Sequence, residues 1–156
     1  MSSFFKAILL SVFLLPVAAN GAGNHMALFS MKGDFDNVKQ SVVDAIQGHG
    51  LVINNISHIG DMLERTGKDL GATKQVYVKA EALEFCSATI SRNMMEADPD
   101  NIVFCPYIIS IYVRPDKPDT VFVAYRKPQL IGSAKSKKAL KAVDNLLHDI
   151  VSEAIF

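Results

Sequence analysis

Residues 102–113 read Ile-Val-Phe-Cys-Pro-Tyr-Ile-Ile-Ser-Ile-Tyr-Val, a run almost wholly apolar or aromatic around the pair Cys105-Pro106. No other stretch limits the fold so strongly. A strand that is apolar on both faces belongs in the middle of a sheet. Pro106 has no N–H to give to a ladder, so it marks a bulge or the strand's true start. Pro115 to Asp119 is turn material, and Thr120 to Arg126 reads as the next strand. The two strands make an antiparallel hairpin.

The rest of the chain supplies partners and cover. His25 to Lys32 alternates weakly and predicts a strand. Asp34 then caps a helix through Phe35, Val38, Val42 and Ile46, stopped by Gly48 and Gly50. Leu51 to Ile59 is rich in Val and Ile and predicts a second strand. Asp61 and Glu64 have the spacing of a capping box, opening a helix kept short because Gly67 and Gly71 bracket Lys68-Asp69-Leu70. Val76 to Phe85 alternates as a strand with one wet face. Ser87 caps a helix bearing Ile90, Met94 and Ala97, which Asp98-Pro99 ends. From Lys137 the set Leu140, Val143, Leu147, Val151 and Ala154 recurs at helical spacing to the C-terminus. The expected fold is α+β, one domain over residues 24–156, with a mixed or mainly antiparallel sheet and helices packed largely on one face.

Residues 1–23 stand apart from that pattern. Lys6 precedes an apolar run from Ala7 to Leu15, Pro16 closes it, and small residues around Val17-Ala18-Ala19 and Ala19-Asn20-Gly21 offer cleavage positions. This is the layout of a secretory signal peptide, and the run is shorter than the roughly 20 residues a membrane span needs. The expectation is a periplasmic or secreted domain, off the membrane once cleaved, in a compartment that oxidises thiols. With 49% apolar residues the chain is not a disordered one. Sixteen basic residues balance sixteen acidic ones, and no basic run exceeds Lys137-Lys138, which argues against nucleic acid as a partner.

Three segments together resemble the domain-of-unknown-function 302 family, described as TT1751-like in fold. They are Ser57-His58-Ile59-Gly60-Asp61-Met62-Leu63 continuing to Gly71, then Leu83-Glu84-Phe85-Cys86-Ser87-Ala88, then Asp98-Pro99 through Cys105-Pro106-Tyr107 and the hairpin to Arg126-Lys127-Pro128. The resemblance covers most of residues 33–150. It implies a small α+β domain and no agreed biochemical activity. Many relatives place their second cysteine just after the proline, whereas here Cys105 precedes Pro106.

The candidate site residues are Cys86, Cys105, His58 and Tyr107. Cys86 stands where a strand gives way to a helix, and a helix N-terminus favours a thiolate. An unpaired cysteine is more often a small apolar group of the kind cores bury, and for Cys86 alone that reading comes first. With Cys105 it leaves three readings open: a structural disulfide, a labile redox pair, or two separate thiols. His58 is the nearest third ligand for a soft-metal site with the two cysteines, although the spacing matches no named metal motif. Met62, Met94 and Met95 read as core filling rather than thioether ligands. Tyr107, Tyr112 and Tyr125 either line a pocket beside the hairpin or cover the sheet. Asp61, Glu64 and Asp69 are accounted for by caps and turns, and no catalytic motif is present. No catalytic residue, cofactor or metal is assigned. Two functions follow: a binding or interaction module without turnover, for an unidentified small ligand or protein partner, or a thiol-based redox or metal-handling protein using Cys86 and Cys105. Homodimerisation through a sheet edge or the last helix stays open.

Overall fold

A computed structural model of the protein describes residues 25–155. The expected signal peptide lies outside the described residues. The elements are β1 (Met26–Lys32), α1 (Phe35–Gly48), β2 (Val52–Ser57), α2 (Ile59–Asp69), β3 (Lys79–Cys86), α3 (Ala88–Ala97), a 3-10 turn (Pro99–Phe104), β4 (Tyr107–Arg114), β5 (Lys117–Arg126) and α4 (Ala134–Ile155). The five strands lie in the order β1-β5-β4-β3-β2, and every neighbouring pair is antiparallel. The domain is α+β, and β4 is indeed the central strand.

Alternation sorts the strand residues into two faces. Odd-numbered positions of the inner strands (Leu83, Phe85, Tyr107, Ile109, Ile111, Val113, Val121, Val123 and Tyr125) point into the core. There they meet Phe35, Val38, Val42 and Ile46 of α1, Met94 of α3, and Leu140, Val143, Leu147, Ile150 and Val151 of α4. Burying each large apolar side chain stabilises the fold by about 1.5–3 kcal/mol. That gain makes the long α4 stripe a sheet-facing surface. The even-numbered positions face the other way. Only α2 lies against that side, and it buries no residue fully.

Four local expectations need correction. Helix α2 starts at Ile59, two residues before the expected Asp61 cap, with the His58 carbonyl accepting from the Met62 amide at 3.1 Å. Docking sets this start. A Cβ at Gly60 would stand 2.9 Å from the Ala80 amide nitrogen, so only glycine lets the first turn reach β3 so closely. Asp61 therefore sits in the first turn, and Glu64 pairs with Lys68 instead. Gly67 stays inside the helix. Gly71, at φ +68°, makes the stop.

Residues 76–78 are not strand. Lys79 pairs with Val113, so continuing the register would put Tyr77 opposite Pro115, in the hairpin turn, where the ladder has no partner left. Last, Ile102–Phe104 belongs to the 3-10 turn rather than to β4. Asp98 accepts from the Asp100 amide and Pro99 supplies the fixed first residue, which starts the turn. Ile102 and Val103 are consequently exposed. The strand begins at Tyr107, directly after Pro106, whose peptide bond to Cys105 is cis.

Candidate functional site

Two places gather chemically useful side chains, and they lie at different parts of the sheet. The first is the end of the β3–β4 ladder. Phe85 opposite Tyr107 is the last pair of that ladder, and Cys86 and Cys105 lie just beyond it. Their sulfurs stand 2.8 Å apart, both as free thiols, both half-buried. Two thiolates sharing a zinc-like ion at Zn–S of about 2.3 Å would be roughly 3.7 Å apart in tetrahedral geometry, so the pair is set closer than a metal would hold it.

The environment favours the thiol form of Cys86. Burial, reinforced by the Cys105 thiol, pushes Cys86 up to about 11, while a hydrogen bond from the Tyr107 backbone pulls weakly the other way. The helix-dipole effect expected at this position is overridden. The N-terminus of α3 is already served by Ser87, whose hydroxyl accepts from the Ile90 amide at 3.4 Å. Ser91, one turn into α3, touches the Cys105 sulfur at 3.9 Å and the Tyr107 hydroxyl at 2.9 Å.

Tyr107 is a core residue, 2% exposed, with its ring edge-on to Phe85 at 6.0 Å. Burial raises its hydroxyl above the ordinary tyrosine value. Its one polar atom is occupied by Ser91, so the structure gives it a packing role rather than a ligand-facing one. His58 is not brought to the cysteines. It is exposed at the start of α2, with Nδ1 3.4 Å from Glu81 Oε1. Glu81 lies five positions before Cys86 along β3, about 16 Å at strand rise. Among the described residues no three His, Cys, Asp or Glu side chains gather as a metal site. Of the methionines, Met94 fills the core and Met62 is exposed.

The second place is the sheet face away from α1, α3 and α4. Its middle row is small: Ala82 of β3 is opposite Ser110 of β4, which is opposite Ala124 of β5. On one side runs an aromatic ridge. The Tyr112 and Phe122 rings stack at 5.3 Å, Tyr77 closes edge-on to Tyr112 at 5.4 Å, and the Arg114 guanidinium lies 4.2 Å over Phe122. On the other side, Met26 and Arg126 form the rim. Met26, Ile59 of α2, Tyr77, Ala80, Glu81, Ser110, Tyr112, Ala124 and Arg126 line a cleft of about 350 Å³. Arg126 lines it, and its guanidinium makes no ion pair or hydrogen bond among the described residues. The crevice beside Pro106, by contrast, holds only about 40 Å³.

This cleft is not among the sites expected from the sequence. Its signal was present as even-numbered Ala80, Ser110 and Ala124, but small residues on a wet face read as unremarkable until three strands are aligned.

The domain of unknown function DUF302 matches the chain over residues 29–154. The chain belongs to the DUF302 family. It is also similar to the crystal structure of an uncharacterized conserved DUF302 protein from Bacillus stearothermophilus, at 12% identity and a TM-score of 0.71. That match covers 84% of this chain and 98% of the other. At such identity the likeness speaks for the fold. No curated protein matches the chain. The DUF302 match takes in both cysteines and all of the cleft except its rim at His25 and Met26.

Proposed function

We propose that this DUF302 domain is an exported binding module without turnover, which takes up a small, flat, largely apolar anion in the cleft on the open sheet face. The observation behind this reading is the small floor of Ala80, Ser110 and Ala124 between the Tyr77–Tyr112 wall and the uncommitted guanidinium of Arg126. A flat ring fits over small side chains and against Tyr77 and Tyr112, where aromatic contact adds about 0.5–1.5 kcal/mol beyond burial. Arg126 supplies a planar fork of donors for a carboxylate or sulfonate. The volume is at the lower end of the range for small-ligand sites. Export rests on the segment 1–23, whose charged start, apolar middle and small-residue end fit a cleaved leader.

The test uses anilinonaphthalene sulfonate, a flat aromatic anion that fluoresces when desolvated, titrated into the mature protein. The reading expects one saturable site, with affinity about tenfold lower in Arg126→Ala, the size of a lost charge-assisted hydrogen bond. The uncharged anilinonaphthalene should bind the wild type and the variant alike. Absence of saturation, or equal affinity of the sulfonate for both proteins, would overturn it.

A further inference from the structure

We infer that Cys86 and Cys105 form a reversible intrachain disulfide by exchange with small external disulfides, clamping the end of β3 to the start of β4. Three observations support it. The sulfurs are already 2.8 Å apart, so closing the bond asks for a movement of under an ångström against a bond length of about 2.05 Å. Both thiols are free, and neither residue is fully buried. The loop between them is not slack. It contains α3 and the 3-10 turn, held by the Ser87 cap, the Asp98 cap and the Asn101 side chain, which donates to the Met94 carbonyl at 3.0 Å. The pair therefore stays in register without the bond.

The exchange balances. A thiolate of the pair attacks the external disulfide, releasing one small thiol and leaving a mixed disulfide. The second cysteine attacks that mixed disulfide and releases the other small thiol. Two S–H bonds are lost from the protein, one S–S bond forms, and the external disulfide takes up both electrons and both protons. The high value of the Cys86 thiol makes the exchange slow at neutral pH and faster as pH rises toward 11.

The experiment equilibrates the full mature chain in buffers of reduced and oxidised glutathione, quenches with acid, alkylates under denaturing conditions and reads the intact mass. Two alkylations on the reduced side must give way to none on the oxidised side, at monomer mass and with no glutathione retained. Cys86→Ser and Cys105→Ser should each retain one glutathione where the wild type retains none. In the chain-entropy picture the oxidised wild type should melt about 10 °C above the reduced form, and return on reduction. Stable glutathione adducts on the wild type, two alkylatable thiols across the whole range, or a disulfide found only between chains would each overturn the inference. None of these readouts involves Arg126, so this inference and the binding reading fail separately.

Discussion

Asn101 is the buried residue whose replacement should cost most for its size. It is 1% exposed, and its amide does two things at once. Its Nδ2 donates to the Met94 carbonyl at 3.0 Å, near the end of α3, and to Ser136 Oγ at 2.9 Å, in the first turn of α4. Ser136 is fully buried and its hydroxyl points back to Asn101 Oδ1 at 3.4 Å. In Asn101→Ala the Met94 carbonyl keeps the Asp98 amide at 3.2 Å, but the Ser136 hydroxyl is left without a partner. Two neutral hydrogen bonds at about 1 kcal/mol each, plus the stranded hydroxyl at about 1 kcal/mol, sum to about 3 kcal/mol.

Ser136→Ala removes the hydroxyl itself and should cost only about 1.5 kcal/mol. The double variant loses the shared Asn101–Ser136 bond only once and strands no hydroxyl, so it should be milder than the two singles together by about 2 kcal/mol. Urea unfolding followed by far-ultraviolet dichroism gives all four values, and the chain has no tryptophan to use instead. The melting temperature of Asn101→Ala should fall by about 10 °C. Strict additivity, or a cost under about 1 kcal/mol for Asn101→Ala, would show that this amide does not tie α3 to α4.

Gly60→Val should weaken α2 docking, because its Cβ meets the Ala80 backbone at 2.9 Å, and hydrogen exchange should speed up in residues 59–69 while β4 stays protected. Stability should be fullest below pH 9.0 and fall as pH rises toward 11. The native state holds the Cys86 thiol protonated to about 11 and Tyr125 above its ordinary 10.0, whereas the unfolded chain releases both protons earlier. Cys86→Ser should flatten the lower part of that fall, as read from urea midpoints across the range. Ile111→Ala, in the fully buried centre of β4, should cost about 2–5 kcal/mol, whereas Val103→Ala on the exposed 3-10 turn should shift stability by no more than about 0.5 kcal/mol.

Periodicity made the helices α1, α3 and α4 and the β4–β5 hairpin legible, because each is specified by residues close in sequence. Ser87 and Asp34 cap where their side chains predict. The errors fall where a distant element decides. The start of α2 depends on the Ala80 backbone, twenty residues downstream of Gly60. The strand expected from Val76 fails because its partner strand ends in a turn. Ile102 to Phe104 looked like core because apolar content alone cannot separate a buried strand from an exposed turn. The site divides in the same way. Cys86 and Cys105 stood out by type, but their separation, and the separation of His58 from both, are properties of the sheet register. The cleft needed three strands aligned before its floor existed at all.

The small row across the open face also allows a test that separates a binding floor from an ordinary solvated surface. Alanine and serine are poor strand residues, and a β-branched side chain on a central strand gains up to about 1 kcal/mol over them. Ser110 sits mid-strand on β4, half-buried, and its hydroxyl has no hydrogen-bond partner among the described residues. Ser110→Val should therefore stabilise the fold by about 0.5–1 kcal/mol in urea unfolding. If the row is only surface, nothing else changes. If it is the floor on which a flat anion lies, the added methyl groups occupy the space the ring needs. Affinity for anilinonaphthalene sulfonate should then fall at least several-fold while stability rises. A variant that is both more stable and equally able to bind would remove the reason for placing the ligand over Ser110. A variant that binds less and is less stable would mean that the small residue serves packing. Only the opposed pair of changes supports the cleft as a site.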